Sequence, residues 1–208
     1  MSRPRASRSY ENEMRRLGIA HVAGVDEVGR GCLAGPVVAA AVILEPDHYV
    51  PGVADSKVVS PQDRERLFDE IQAAAVAWTV SIIEAEEIDR INIHQASLRA
   101  MREAVMTLVP LPGVVLIDGF RLPDLILPQR HLIGGDRRST AIAAASIMAK
   151  VTRDRLMRDL HAHDPRYGFD RHKGYATRDH LDAVAAFGYS AAHRRTFRPP
   201  SLFDTIPD

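Results

Sequence analysis

One cysteine, one tryptophan and only three lysines occur in this chain of 208 residues, and each scarcity narrows what the chain can be. The lone thiol, Cys32, rules out an intrachain disulfide and fits a reducing compartment. Long apolar runs are missing as well. The longest, Val37 to Leu44, falls far short of the ~20 residues that a spanning helix needs. Residues 1–19 are polar and Arg-rich, without the apolar segment of a secretory signal. A soluble cytoplasmic protein with no membrane partner is the expectation. Nor does one sign of charge prevail: 27 Lys+Arg face 27 Asp+Glu, so affinity for a polyanion must come from local arrangement. Because arginine supplies nearly all the cations, Lys57, Lys150 and Lys173 become positions to check for a role. The length suits one domain with a sizeable core.

Residues 1–18, with Arg3, Arg5, Arg8, Arg15 and Arg16, read as a mobile N-terminal arm, helical at most near its end. A strand is expected over 19–28, a turn over Gly29 to Gly35, and a second strand over Val37 to Leu44. Gly29-x-Gly31-x-x-Ala34 matches a relaxed dinucleotide-binding fingerprint, but that motif must open a helix. Here Pro36 leads into Val37-Val38 and Val42-Ile43-Leu44, which favours a strand and a hairpin. Ser60-Pro61 is a helix start, with Leu67, Phe68, Ile71, Ala74 and Ala75 on one face. Trp78, Val80 and Ile82 alternate as a strand. A helix from Asn92 to Leu108 buries Ala100, Met101, Ala104, Val105 and Leu108, and Pro110 and Pro112 end it.

Val114 to Ile117 is a continuous apolar run, the mark of a strand covered on both faces, and it ends in Asp118-Gly119. Short extended pieces at Leu125–Leu127 and Arg130–Ile133 lead to Gly134-Gly135-Asp136. A long helix is expected from Ser139 or Thr140 to His161, with Ser146, Lys150 and Arg153 in a polar stripe beside its apolar face. Residues 162–176 form a basic, aromatic loop. Thr177 caps a last helix to Phe187, stopped by Gly188. Residues 19–161 are read as the core, with 162–208 as a loop, helix and tail packed on it.

Asp and Glu are depleted from strand interiors, so Asp26-Glu27 between Gly24-Val25 and Val28 needs a reason. With Asp118 at a strand end and Asp136 before a helix, four carboxylates come from separate elements. Such sets suit hard divalent cations, and paired ions can clamp the attacking and leaving oxygens of phosphoryl transfer. Candidate phosphate contacts surround them: the amides of Gly29 to Gly31, Arg30, Lys57, Lys150 and the 166–175 loop. Acids for metal beside cations for phosphate read as a nuclease. One tension stands: neighbours in a regular strand point to opposite faces, so Asp26 and Glu27 share a site only if the strand bends or ends there.

The run Gly24-Val25-Asp26-Glu27-Val28-Gly29-Arg30-Gly31-Cys32-Leu33-Ala34-Gly35-Pro36 resembles the signature of the ribonuclease HII family. Further blocks are similar to it too: Asp55-Ser56-Lys57, Ile117-Asp118-Gly119, Gly135-Asp136, Ala143 to Arg155, Tyr167-Gly168-Phe169 and His172-Lys173-Gly174-Tyr175, in register from about 19 to 199. The resemblance implies an α/β, ribonuclease H-like fold: a five-stranded mixed sheet flanked by helices, with a C-terminal helical extension. It implies cleavage of the RNA strand of RNA–DNA hybrids and incision 5′ of a ribonucleotide embedded in duplex DNA, by two Mn²⁺ or Mg²⁺ ions. Asp26, Glu27, Asp118 and Asp136 fall on the family's metal ligands, and Gly29-Arg30-Gly31 on the turn that reads the 2′-hydroxyl through its backbone. Tyr175 falls on the aromatic beside the ribonucleotide. Lys57, Ser146, Lys150 and His172 are further candidate substrate contacts. Gly135 departs from the lysine more usual there, and Arg137 or Arg138 could supply that cation instead.

The histidines 161, 163, 172 and 180 match no tight zinc spacing and read as solvated. The tail Ser201-Leu202-Phe203 could touch a sliding clamp, and a monomer is the default. A non-catalytic nucleic-acid binder is the rival class, but acids near a phosphate backbone repel it unless a metal intervenes. A structure-specific DNA nuclease on the same fold is the rival within catalysis.

Overall fold

The structure is a computed structural model that describes residues 6–48, 50–53, 56 and 59–197. Lys57 and the tail residues Ser201 to Phe203 lie outside the described residues. In chain order the elements are α1 Ser9–Arg16, β1 Val22–Val28, β2 Val37–Leu44, α2 Pro61–Ala74, β3 Ala75–Ile83, α3 Ala85–Ile91, α4 Ile93–Met106, β4 Val114–Asp118, β5 Gln129–Leu132, α5 Thr140–His163, α6 Phe169–His172 and α7 Arg178–Phe187. Short 3-10 turns stand at Gly135–Arg137 and Pro165–Tyr167.

The strands form one five-stranded mixed sheet in the order β3-β2-β1-β4-β5. β1–β2 and β2–β3 are antiparallel, while β1–β4 and β4–β5 are parallel. This is the architecture that the resemblance implied. All eight residues of β2 are buried, which accounts for an unbroken apolar run in place of alternation. One face packs on α3 and α4 through Ile88, Ala100, Met101 and Val105. The other packs on α2 and α5 through Leu67, Phe68, Ile71 and the alanines 143–145. Each Leu, Ile, Val, Met or Phe side chain so buried contributes about 1.5–3 kcal/mol, and each alanine methyl about 0.8 kcal/mol. Gly24 lets α5 approach β1 closely, since a Cβ there would overlap the Ala141–Ile142 peptide.

Three expectations change. The arm expected to be mobile over 1–18 is a docked helix over Ser9–Arg16: buried Glu11 accepts from Ser139 Oγ (2.7 Å) and the Ala141 amide (2.8 Å), tying α1 to the start of α5. A short helix, α3, precedes the helix expected from Asn92, whose side chain caps α4 by accepting from the Gln95 amide. Leu125–Leu127 is not extended strand, and β5 covers only Gln129–Leu132. Among the described residues, no helix is long and apolar enough to cross a membrane.

Candidate active site

The parallel pairing of β1 with β4 runs from Val22↔Val114 to Val25↔Ile117 and stops there. β4 ends at Asp118, while β1 continues through Asp26, Glu27 and Val28, still paired with β2. This step in the sheet resolves the tension over the two adjacent acids. Asp26 shares the α5 face with Gly24, and Glu27 points to the α4 face. Because the neighbouring strand has ended, both side chains border one cleft of about 250 Å³, and the strand need neither bend nor break. Asp118 borders it from the end of β4, with Arg30, Gly31, Ser56, Ser146, Lys150 and Tyr175. It is the carboxyl-end crevice where open α/β sheets place ligands.

Asp26 is buried and accepts from the Glu27 amide at 2.7 Å. Burial raises its pKa well above the ordinary carboxylate value, and the charges of Glu27 and Asp118 push it further. Hydrogen bonds from Ser146 and the Glu27 amide offset this only in part. Burial raises Glu27 too, opposed by Arg30, whose Nη1 lies 3.3 Å from Glu27 Oε1. The Arg30 guanidinium also stacks over the Phe120 ring (4.9 Å to the centroid), which steadies it beside the cleft. Asp118 Oδ1 accepts from the Gly135 amide at 2.6 Å, so the turn carrying Asp136 is bonded directly to the end of β4.

The sequence brought forward four carboxylates, and the cleft gathers three. Asp136 is buried in the 3-10 turn, outside the cleft lining, with Arg137 Nε 3.8 Å from its Oδ1. Of the two arginines offered as substitutes for a lysine at 135, Arg137 is the one near the acid; Arg138 is turned to the Tyr10 hydroxyl of α1. Among the described residues no three His, Cys, Asp or Glu side chains stand at metal-holding spacing, so the acids converge without forming a closed cage. The donor set nonetheless fits a hard divalent cation: all oxygens, mutually repelling, with Asp26 and Glu27 desolvated and Arg30 paired to Glu27.

Other candidates separate. Ser146 lies 2.9 Å from Ser56 Oγ and faces Asp26. Lys150 reaches the cleft wall but pairs with Asp154 (2.6 Å). His172 does not serve as the phosphate contact expected of it: it is buried, its Nε2 meets the Tyr167 carbonyl (2.6 Å), and its Nδ1 accepts from the Gly174 amide (3.2 Å). Burial lowers its pKa, as it does for His180, and His193 falls to about 4. The solvated reading of His172 and His180 therefore fails, since both sit in an aromatic cluster with Phe169 and His193.

Sequence reasoning missed two arginines that build the site. Arg153, read only as part of a polar stripe on the long helix, is fully buried and donates to the carbonyls of Pro36, Ala34 and Lys173. Arg194, read as part of a tail, is also fully buried and donates to the carbonyls of Gly35 and Arg30. Together they lock the turn after β1. Gly29 has φ +98, and a Cβ there would strike Arg153, so the turn closes only on glycine. Gly31 differs. Its φ is ordinary and its missing Cβ would meet nothing within 4 Å, so packing does not demand glycine there.

The family model for ribonuclease HII matches residues 23–199. A protein described as ribonuclease HII from Bacillus cereus (strain Q1) is 52% identical over 190 residues, spanning 91% of this chain and 74% of that protein. Among solved structures, ribonuclease H2 from Pyrococcus horikoshii OT3 superposes with a TM-score of 0.74 at 24% identity, over 88% of this chain and 96% of that one. The ribonuclease HII of Archaeoglobus fulgidus, solved in complex with PCNA, gives 0.72 at 26% identity, over 88% and 99%.

Proposed function

The chain belongs to the ribonuclease HII family, divalent-metal-dependent endoribonucleases that act on RNA–DNA hybrids, and from that premise we propose that it also incises 5′ of single ribonucleotides in duplex DNA through two metal ions. The observation that carries this reading is the step between β1 and β4, which turns Asp26, Glu27 and Asp118 toward one cleft beside the Gly29–Gly31 turn.

Asp26, Glu27 and Asp118 would hold the ions, with Asp136 joining from the turn bonded to Asp118. Mn²⁺ or Mg²⁺, when bound, would supply a water activated at neutral pH and a counter-charge for the leaving 3′-oxygen, giving 5′-phosphate and 3′-hydroxyl ends. The chain's own residues do the rest. Ser146 orients Asp26, and Arg30 restrains Glu27. RNA differs from DNA at a single position only by its 2′-hydroxyl, a donor and acceptor. Gly31 leaves its backbone open to that hydroxyl, and Tyr175, 44% exposed on the cleft wall, offers a ring to the sugar and base. Clamp contact through Ser201 to Phe203 and action as a monomer complete the proposal.

The test is cleavage of duplex DNA carrying one embedded ribonucleotide against the all-deoxy duplex, with Mn²⁺ or Mg²⁺. Incision 5′ of the ribonucleotide alone supports the reading. Equal cutting of both duplexes, or cutting of long hybrids only, contradicts it.

A further inference from the structure

Behind Tyr175 lies a buried hydrogen-bonded relay that the chemistry above leaves unused. The Ser190 amide donates to His193 Nδ1 (3.0 Å), so that nitrogen must be an acceptor and Nε2 must carry the ring proton. His193 Nε2 lies 3.0 Å from His180 Nε2, which must then accept. The remaining proton of His180 sits on Nδ1, 2.9 Å from the Tyr175 carbonyl. The direction of every bond is thus fixed: Ser190 to His193, His193 to His180, His180 to Tyr175. Burial keeps both rings neutral at neutral pH, as the relay requires.

The same stretch grips the other side of the cleft. The Gly35 amide donates to the Ala192 carbonyl, the Arg194 amide to Leu33, and the Leu33 amide to the Gly174 carbonyl, each at 2.8 Å. The Arg194 guanidinium reaches the Arg30 and Gly35 carbonyls. Adjacent residues therefore hold both substrate-facing pieces: Arg194 the turn after β1, and His193, through His180, the backbone of Tyr175.

We propose that His180 and His193 are positioning residues that fix Tyr175 against the Gly29–Gly31 turn, so that the embedded ribonucleotide is held between the two. The proposal rests on the reading of Tyr175 as a substrate contact. A shift of about 1 Å in such a contact costs up to ~10²-fold in rate.

The experiment measures kcat and KM on duplex DNA with one embedded ribonucleotide, alongside thermal melting, for the full chain. His193→Leu is expected to lower kcat roughly 10- to 100-fold with little change in KM. In a Tyr175→Ala background the same substitution should add almost nothing, because both act on one contact. His193→Gln, which can still donate to His180, should recover more of the rate than His180→Asn, which gives up the bond to His193. That ordering also carries the test should the leucine variant not fold. Equal rates for His193→Gln and His180→Asn, or equal losses from His193→Leu in both backgrounds, overturn the relay while the role of Tyr175 stands. A Tyr175→Ala variant that cleaves like the parent overturns that role and the relay together.

Discussion

Two clusters of charge, one half-buried and one fully buried, flank the turn after β1, and they are built on opposite terms. On one side Asp26, Glu27 and Asp118 border a cleft where burial and mutual repulsion raise the first two acids and one guanidinium, Arg30, offsets Glu27 alone. On the other, Arg153 and Arg194 are fully buried, yet their donors are met by the carbonyls of Ala34, Gly35, Pro36, Arg30 and Lys173. A buried charge surrounded by partners is scaffold; a buried charge left in deficit is held ready for a ligand. The arginines give the fold its rigidity, and the acids draw on that rigidity to stay together.

The comparison breaks first on activity. Asp118→Asn should lower kcat on a hybrid by about 10³-fold, the upper range for losing one preorganised charged contact, while melting stays at or above the parent value. A folded variant with unchanged cleavage would remove Asp118 from the chemistry. The opposite cluster should answer in stability: Arg194→Met leaves the Arg30 and Gly35 carbonyls without their donor and should cost about 3 kcal/mol in urea unfolding. Asp26→Asn should move the other way and stabilise the apo protein. A loss of stability from both would erase the distinction.

Smaller effects sharpen it. Gly31→Ala should alter unfolding free energy by no more than about 0.5 kcal/mol, since the added Cβ meets nothing, yet slow incision at an embedded ribonucleotide. The pH dependence follows from Asp26. Its folded pKa lies above the unfolded value, so the native state binds more protons than the unfolded one in between. Stability is then fully present below about pH 4 and declines as pH rises through the folded value. Asp26→Asn should flatten that decline in melting curves collected from pH 4 to 8.

Much of this was legible beforehand where the signal is local. Ser60-Pro61 opened α2 as read, with Ser60 accepting from the Asp63 amide, and the apolar run before Asp118 is a buried strand. What escaped depends on contacts distant in sequence. No periodicity in Gly24–Val28 says where β4 will end, and that endpoint alone lets Asp26 and Glu27 share a cleft. His180 looks solvated in its own segment; it is buried, with His193, because α7 and the 189–194 segment close over Phe169 and Tyr167. α3 escaped for another reason: its apolar positions Ala85, Ile88 and Ile91 fall at helical spacing, but seven residues with four charges are too short to establish a period.

The central claim is that Asp26, Glu27 and Asp118 are a cation site held in deficit. Mn²⁺ binding to the apo protein, followed by electron paramagnetic resonance and by the melting temperature, tests it most directly. The account requires saturable binding that raises the melting temperature of the parent and is lost in Asp118→Asn. Binding and stabilisation that persist unchanged in Asp118→Asn would contradict it.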